Sequence, residues 1–116
     1  MSRRDDTSRL RDMLDAAQAA IRVLGSHTAD ELENAEMLAL AVPHAVEIVG
    51  EAASRVSRPF CEAHPEIDWS AVTGMRHRIV HDYFAVDYQR LWDTVHNDLP
   101  LLIAQLERIL EDADNS

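Results

Sequence analysis

The chain has no lysine, one cysteine, three glycines and four prolines in 116 residues, and aromatic side chains make up only 5% of it. Each scarcity excludes something. A lone Cys61 cannot form an internal disulfide, so nothing calls for an oxidising compartment, and beside Phe60 it reads as a small buried hydrophobe. Little glycine and proline, with Ala, Leu, Glu, Arg and Asp dominant, is a helix-forming composition with no sign of a sheet. No apolar run approaches the roughly 18 residues needed to span a bilayer, and Met1-Ser2-Arg3-Arg4-Asp5-Asp6 leads into a charged amphipathic segment instead of a signal peptide. A cytoplasmic protein with no membrane partner is expected. The 11 cations, all arginine, face 21 carboxylates, and the net charge of −10 argues against a protein that holds nucleic acid with its whole surface. It leaves room for a local site. The length fits one domain over 1–116, with an ordered core of about residues 8–112.

What is present is helical periodicity. From Ser8 to about Leu24, the residues Leu10, Met13, Leu14, Ala17, Ile21 and Leu24 recur at helical spacing with charges opposite. Gly25 follows as a helix-ending residue, and Thr28 with Glu31 fits a capping box for the next helix. That second helical region runs to about Val56. Its apolar residues (Met37, Leu38, Ala41, Val42, Ala45, Ile48, Val49, Ala52, Val56) wrap more than one face, so it is expected to touch both its own bundle and another chain. Gly50 would let a helix approach closely. Pro43 interrupts the pattern at a cost of roughly 3 kcal/mol in a helix interior, which predicts a kink or a boundary there and leaves His44 in an exposed turn.

Ser57 to Pro65 reads as a short helical turn and loop. Asp68 caps the following helix, Trp69 anchors the core, and Gly74 marks another close contact. Asp87 is a good N-cap for a last helix carrying Leu91, Trp92, Val95, Leu99, Leu102, Ile103, Leu106 and Leu110, with a kink near His96 from Pro100. Glu111 to Ser116 reads as a frayed acidic tail. An all-α fold follows: an antiparallel bundle of four long helices plus short ones.

Chemistry concentrates in Arg76-His77-Arg78-Ile79-Val80-His81-Asp82-Tyr83. On a helix advancing ~100° per residue, Val72, Met75 and Ile79 form one apolar stripe, and His77 and His81 fall roughly opposite it. Arg76 stands five residues before His81, so a continuous helix would hold the two ~140° apart. Either the helix ends near Val80, or each residue meets a partner from a second chain. His77 and His81 are four apart, the spacing with which a helix presents two imidazoles to zinc, and His96 or Asp82 could complete such a site. No second His/Cys pair at ligand spacing accompanies them, and neither a metal nor another cofactor is expected. Surface ion pairing of Arg76 and His81 with Asp82 or glutamates is the plain structural alternative.

Arg76, four intervening residues, His81, one residue and Tyr83 resemble the signature of the HEPN superfamily, specifically its HepT-like toxins. The likeness extends from about Leu10 to Leu110, through Glu47-Ile48-Val49-Gly50-Glu51-Ala52-Ala53, His64-Pro65-Glu66-Ile67-Asp68-Trp69 and Trp92-Asp93-Thr94-Val95. The resemblance implies a HEPN-like helical domain, a symmetric dimer, and a metal-independent endoribonuclease in which Arg76 and His81 from two copies form a composite site at the interface. His77, Arg78 and Asp82 are supporting residues. His77 departs from the family, where asparagine is common. The resemblance further implies a toxin–antitoxin pair, in which a separate minimal nucleotidyltransferase attaches AMP to Tyr83 and so blocks the site from RNA. A non-catalytic helical module that only binds such a nucleotidyltransferase, or a metal-binding bundle, would share the fold features.

Overall fold

A computed structural model describes the backbone of residues 3–81 and 85–115 and the side chains of 5–80 and 85–115. The fold is all-α. Three long rods carry it: α1 (Arg3–Leu24), α3 (Glu36–Ser54) and α8 (Leu99–Asp114). Shorter helices are α2 (Ala29–Asn34), α4 (Arg58–Ala63), α5 (Trp69–Thr73), α6 (Met75–Ile79) and α7 (Tyr88–Asp93). Two-residue strands β1 (Val80–His81) and β2 (Ala85–Val86) pair antiparallel, an element that the composition did not suggest.

The first rod buries Leu10, Met13, Ala17, Ala20 and Leu24, while Leu14 and Ile21 flank that face. It starts at Arg3, five residues before the expected Ser8, because Asp6 is tied down: its carboxylate accepts from the backbone N–H of Ser57 at 2.8 Å and from the Ser57 hydroxyl at 2.7 Å. Gly25 ends the rod at φ 54°, a left-handed conformation that costs glycine little. The Thr28–Glu31 capping box then starts α2, with Thr28 N–H donating to the Glu31 carboxylate at 2.9 Å and Glu31 N–H donating to the Thr28 hydroxyl at 3.1 Å. The bond from Thr28 N–H holds the Glu31 carboxyl below its usual range.

The second region breaks at Ala35 (φ −95°, ψ 109°), and Pro43 lies inside α3 without interrupting it. Burial of the Pro43 ring beside Val42 and Val46 in the core offsets the lost donor. His44 accordingly sits exposed on a helix, not in a turn. Among the described residues α3 is the one helix long and apolar enough, by length and composition, to cross a membrane, although Glu36, Glu47 and Glu51 interrupt it and it is not an unbroken apolar run. Its excess hydropathy has a local origin. One face (Val42, Val46, Val49, Ala53) packs in the core, and the other exposes Met37, Leu40 and Ile48.

Long-range side-chain contacts fix the directions of the rods. Arg11 near the start of α1 pairs with Asp114 at the end of α8 at 2.9 Å, and Asp6 reaches Ser57 just beyond α3, so α1 runs antiparallel to both. The last turn is helical to Asp114, where fraying was expected, and Asp114 is the residue that Arg11 pairs with. Pro100 acts as anticipated: a π-helical segment, Thr94–Asp98, precedes it and surrounds His96. Leu99 N–H donates to the carbonyl of Thr94, five residues back, and Pro100 has no N–H to offer. Leu99, Leu102, Leu106, Ile109 and Leu110 beyond it are buried.

Candidate active site

Local rules position the motif. Asp68 caps α5 by accepting from Ala71 N–H at 3.1 Å, and Trp69 lies half-buried against the core with its indole N–H on the His64 carbonyl at 2.9 Å. Val72, Met75 and Ile79 are buried as the stripe required, which leaves Arg76, His77 and Arg78 exposed on α6. The helix stops at Ile79. Val80 is extended (φ −99°, ψ 123°), Asp87 N–H bonds to the Ile79 carbonyl, and His81 pairs through its backbone with Ala85. The helix ends near Val80, the first of the two arrangements left open for Arg76 and His81. The same break removes the helical spacing that would have presented His77 and His81 together to zinc.

Arg76 leans onto α3. Its Nε donates to Glu47 Oε1 at 3.1 Å, and among the described residues Glu47 is its one hydrogen-bond partner. With the side chains 63% and 43% exposed, the pair adds at most about 1 kcal/mol to stability. Its register comes from Gly50. A Cβ there would stand 3.2 Å from the Val72 carbonyl oxygen, so the α3 and α5 backbones nearly touch, and one turn further along Glu47 meets Arg76.

Beside Arg76 opens a groove of ≈ 810 Å³ between α1 and α3. Ala16, Ile48 and Ala52 contribute its apolar part; His44, Arg9, Arg55 and Arg76 share it with Asp12, Asp15, Glu47 and Glu51. Arginines and acids are paired there, Arg55 with Glu51 at 3.1 Å and Arg9 with Asp12 at 3.8 Å. Four acids and three arginines form a nearly balanced polar rim around the apolar strip, a lining of the kind that a polypeptide surface can cover. The groove was not legible in the sequence, although the alternation of charged and small residues along α3 was its trace.

The other candidates separate. Arg78 turns to the opposite side of α6, 3.7 Å from Asp98, in a small cleft with Arg90, Asp93, Thr94 and Asn97. His96 stacks on Trp92 with ring centroids 3.8 Å apart, while the Trp92 indole N–H donates to the His27 carbonyl at 2.9 Å. Among the described residues no three His, Cys, Asp or Glu side chains gather as metal ligands. The side chain of His81, and Asp82 and Tyr83 altogether, lie outside the described residues. Cys61 is half-buried beside Phe60; burial first, and then the Asp6 carboxylate, push its thiol up.

A match to the family described as Ribonuclease HepT-like covers residues 13–109. The chain belongs to the HepT-like ribonuclease family. It is 35% identical over 107 residues to "Putative RNase MJ1380" of Methanocaldococcus jannaschii, a match over 92% of this chain and 98% of that protein. To "Probable ribonuclease HepT" of Thermococcus cleftensis it is 42% identical over 69 residues, 60% of this chain and 63% of that one. No solved structure matches the chain. For this HepT-like chain, RNA cleavage is therefore the chemistry against which the exposed Arg76 and the motif around it are to be read.

Proposed function

We propose that the protein is a cytoplasmic, homodimeric endoribonuclease that cleaves RNA without a metal ion and acts as the toxin of a toxin–antitoxin pair. Cleavage at an RNA phosphodiester needs a base for the 2′-hydroxyl proton, an acid for the departing 5′-oxygen, and a cation for the charge on phosphorus. Histidine titrates in the right range, and arginine matches the phosphate oxygens. One chain supplies one motif histidine for two proton-transfer roles, and two copies of Arg76 and His81 brought together by a two-fold axis would supply both.

One observation carries the reading: Arg76 lies on the exposed side of α6 at the edge of a groove whose α3 wall continues into an unpartnered apolar stripe. Met37 is 83% exposed and Leu40 69%, far more than a core-facing helix would leave in water. A second α3 laid across this stripe would cover it and draw the two motif segments together, since a two-fold interface presents the same patch twice. Tyr83 follows His81 by two residues. A nucleotide attached there by a partner nucleotidyltransferase would place phosphate charge near Arg76 and compete with substrate.

The deciding experiment is cleavage of RNA by the purified protein in EDTA, comparing wild type with Arg76→Ala and His81→Ala. Loss in both variants, with the helical signal and dimer mass retained, supports the reading. Cleavage at the wild-type rate by both variants would sink it, and leave a helical module that only binds a nucleotidyltransferase.

A further inference from the structure

We infer that Glu47 is the positioning residue for Arg76, fixing which edge of the guanidinium faces substrate. This deepens the ribonuclease reading and rests on it. A guanidinium carries five N–H donors in a rigid fork and can meet phosphate through its Nε side or through its Nη end. Glu47 Oε1 occupies the Nε side at 3.1 Å. With the Nε side held by Glu47, the Nη end is left for substrate, where phosphate oxygens would meet two parallel donors instead of a choice of edges.

The restraint is built from rigid parts. Glu47 sits in the middle of the 19-residue α3, not in a loop. Three residues on, Gly50 lets α3 lie against the Val72 carbonyl, and four residues after Val72 comes Arg76, so the pair is held in register one turn from a backbone contact. Without Glu47, the half-exposed Arg76 side chain could sample many rotamers on its flexible stem. Orientation of that kind affects turnover more than affinity, because it matters most where charge builds on phosphorus.

The test is steady-state cleavage of a short fluorogenic RNA by the full-length protein and its Glu47→Ala and Glu47→Gln variants. Glutamine keeps an acceptor oxygen at the same reach. Glu47→Ala is expected to lower kcat about 10-fold with KM within about twofold, and Glu47→Gln to recover most of it. In an Arg76→Lys background, which has no Nε–H to be held, Glu47→Ala should cause no further loss. The proposal is overturned if Glu47→Ala turns over at the wild-type rate, if the loss appears in KM, if the Lys background shows the same decrement, or if Glu47→Ala is monomeric by light scattering. If the wild type does not cleave RNA, the ribonuclease reading fails by itself. The Arg76 Nε–H resonance then decides the pairing: slow exchange that is lost in Glu47→Ala sustains it, and fast exchange in the wild type removes it.

Discussion

The carboxylate of Asp6, 3% exposed, accepts both the backbone N–H and the hydroxyl of Ser57, 51 positions away. Ser57 in turn caps α4. Asp6→Ala would leave two donors without an acceptor in a part-buried place. It is expected to destabilise the fold by about 2 kcal/mol, read as a lower urea midpoint at unchanged slope.

For the site, His81→Ala is expected to lower RNA cleavage by about 10²–10⁴-fold, and Arg76→Ala to abolish it, with melting temperatures within a few degrees of wild type. Excess EDTA should leave the wild-type rate unchanged. A chelation-sensitive rate would remove the metal-free mechanism.

For the α3 stripe, Leu40→Glu and Ile48→Glu put a carboxylate on an exposed face that is apolar in the single chain, where the fold should tolerate it. Each is expected to yield a helical monomer without ribonuclease activity, measured by light scattering and RNA digestion. A dimer that persists in the double variant would place the interface elsewhere.

Tyr83 is the expected control point. Co-expression with a cognate nucleotidyltransferase should add one or more AMP masses to this chain, and Tyr83→Phe should prevent it. Mapping of the modification to Tyr88 would end the idea.

The capping box has a pH signature. Glu31 is held below the ordinary glutamate value of 4.5 by the bond from Thr28 N–H, so its stabilising contribution is complete above that value and fades as pH falls through the lowered one. The stability difference between wild type and Glu31→Gln should therefore favour wild type at neutral pH and shrink below 4.5.

What could be read from the sequence was what short-range chemistry decides. The caps at Thr28, Asp68 and Asp87, the turn at Gly25 and the buried side of α6 all follow from residues within one or two turns. Pro100 behaved as a local rule requires, whereas Pro43 did not, because the core around its ring decides the outcome there. The groove and the Glu47 contact to Arg76 were hidden for a different reason. Glu47 and Arg76 are 29 positions apart and meet through the approach of two backbones, and the groove joins residues of α1 to residues of α3, neither of which any periodicity encodes. The exposed side of α3 was visible as surplus apolar residues before the rest of its surroundings were known.

The wide turn at Thr94–Asp98 works as a phase shift in a single rod. Each α-helical residue advances the side chain ~100°, so one residue absorbed into the wider turn re-aims everything after it by about that angle. In one straight helix Leu91, Val95, Leu102 and Leu106 would fall on a single face, whereas the wider turn between them rotates the buried side of α8 relative to that of α7. Deleting a single residue between Thr94 and Asp98 would restore regular bonding and still ruin the fold, because the 16 residues of α8 would rotate as one body and carry their leucines out of the core.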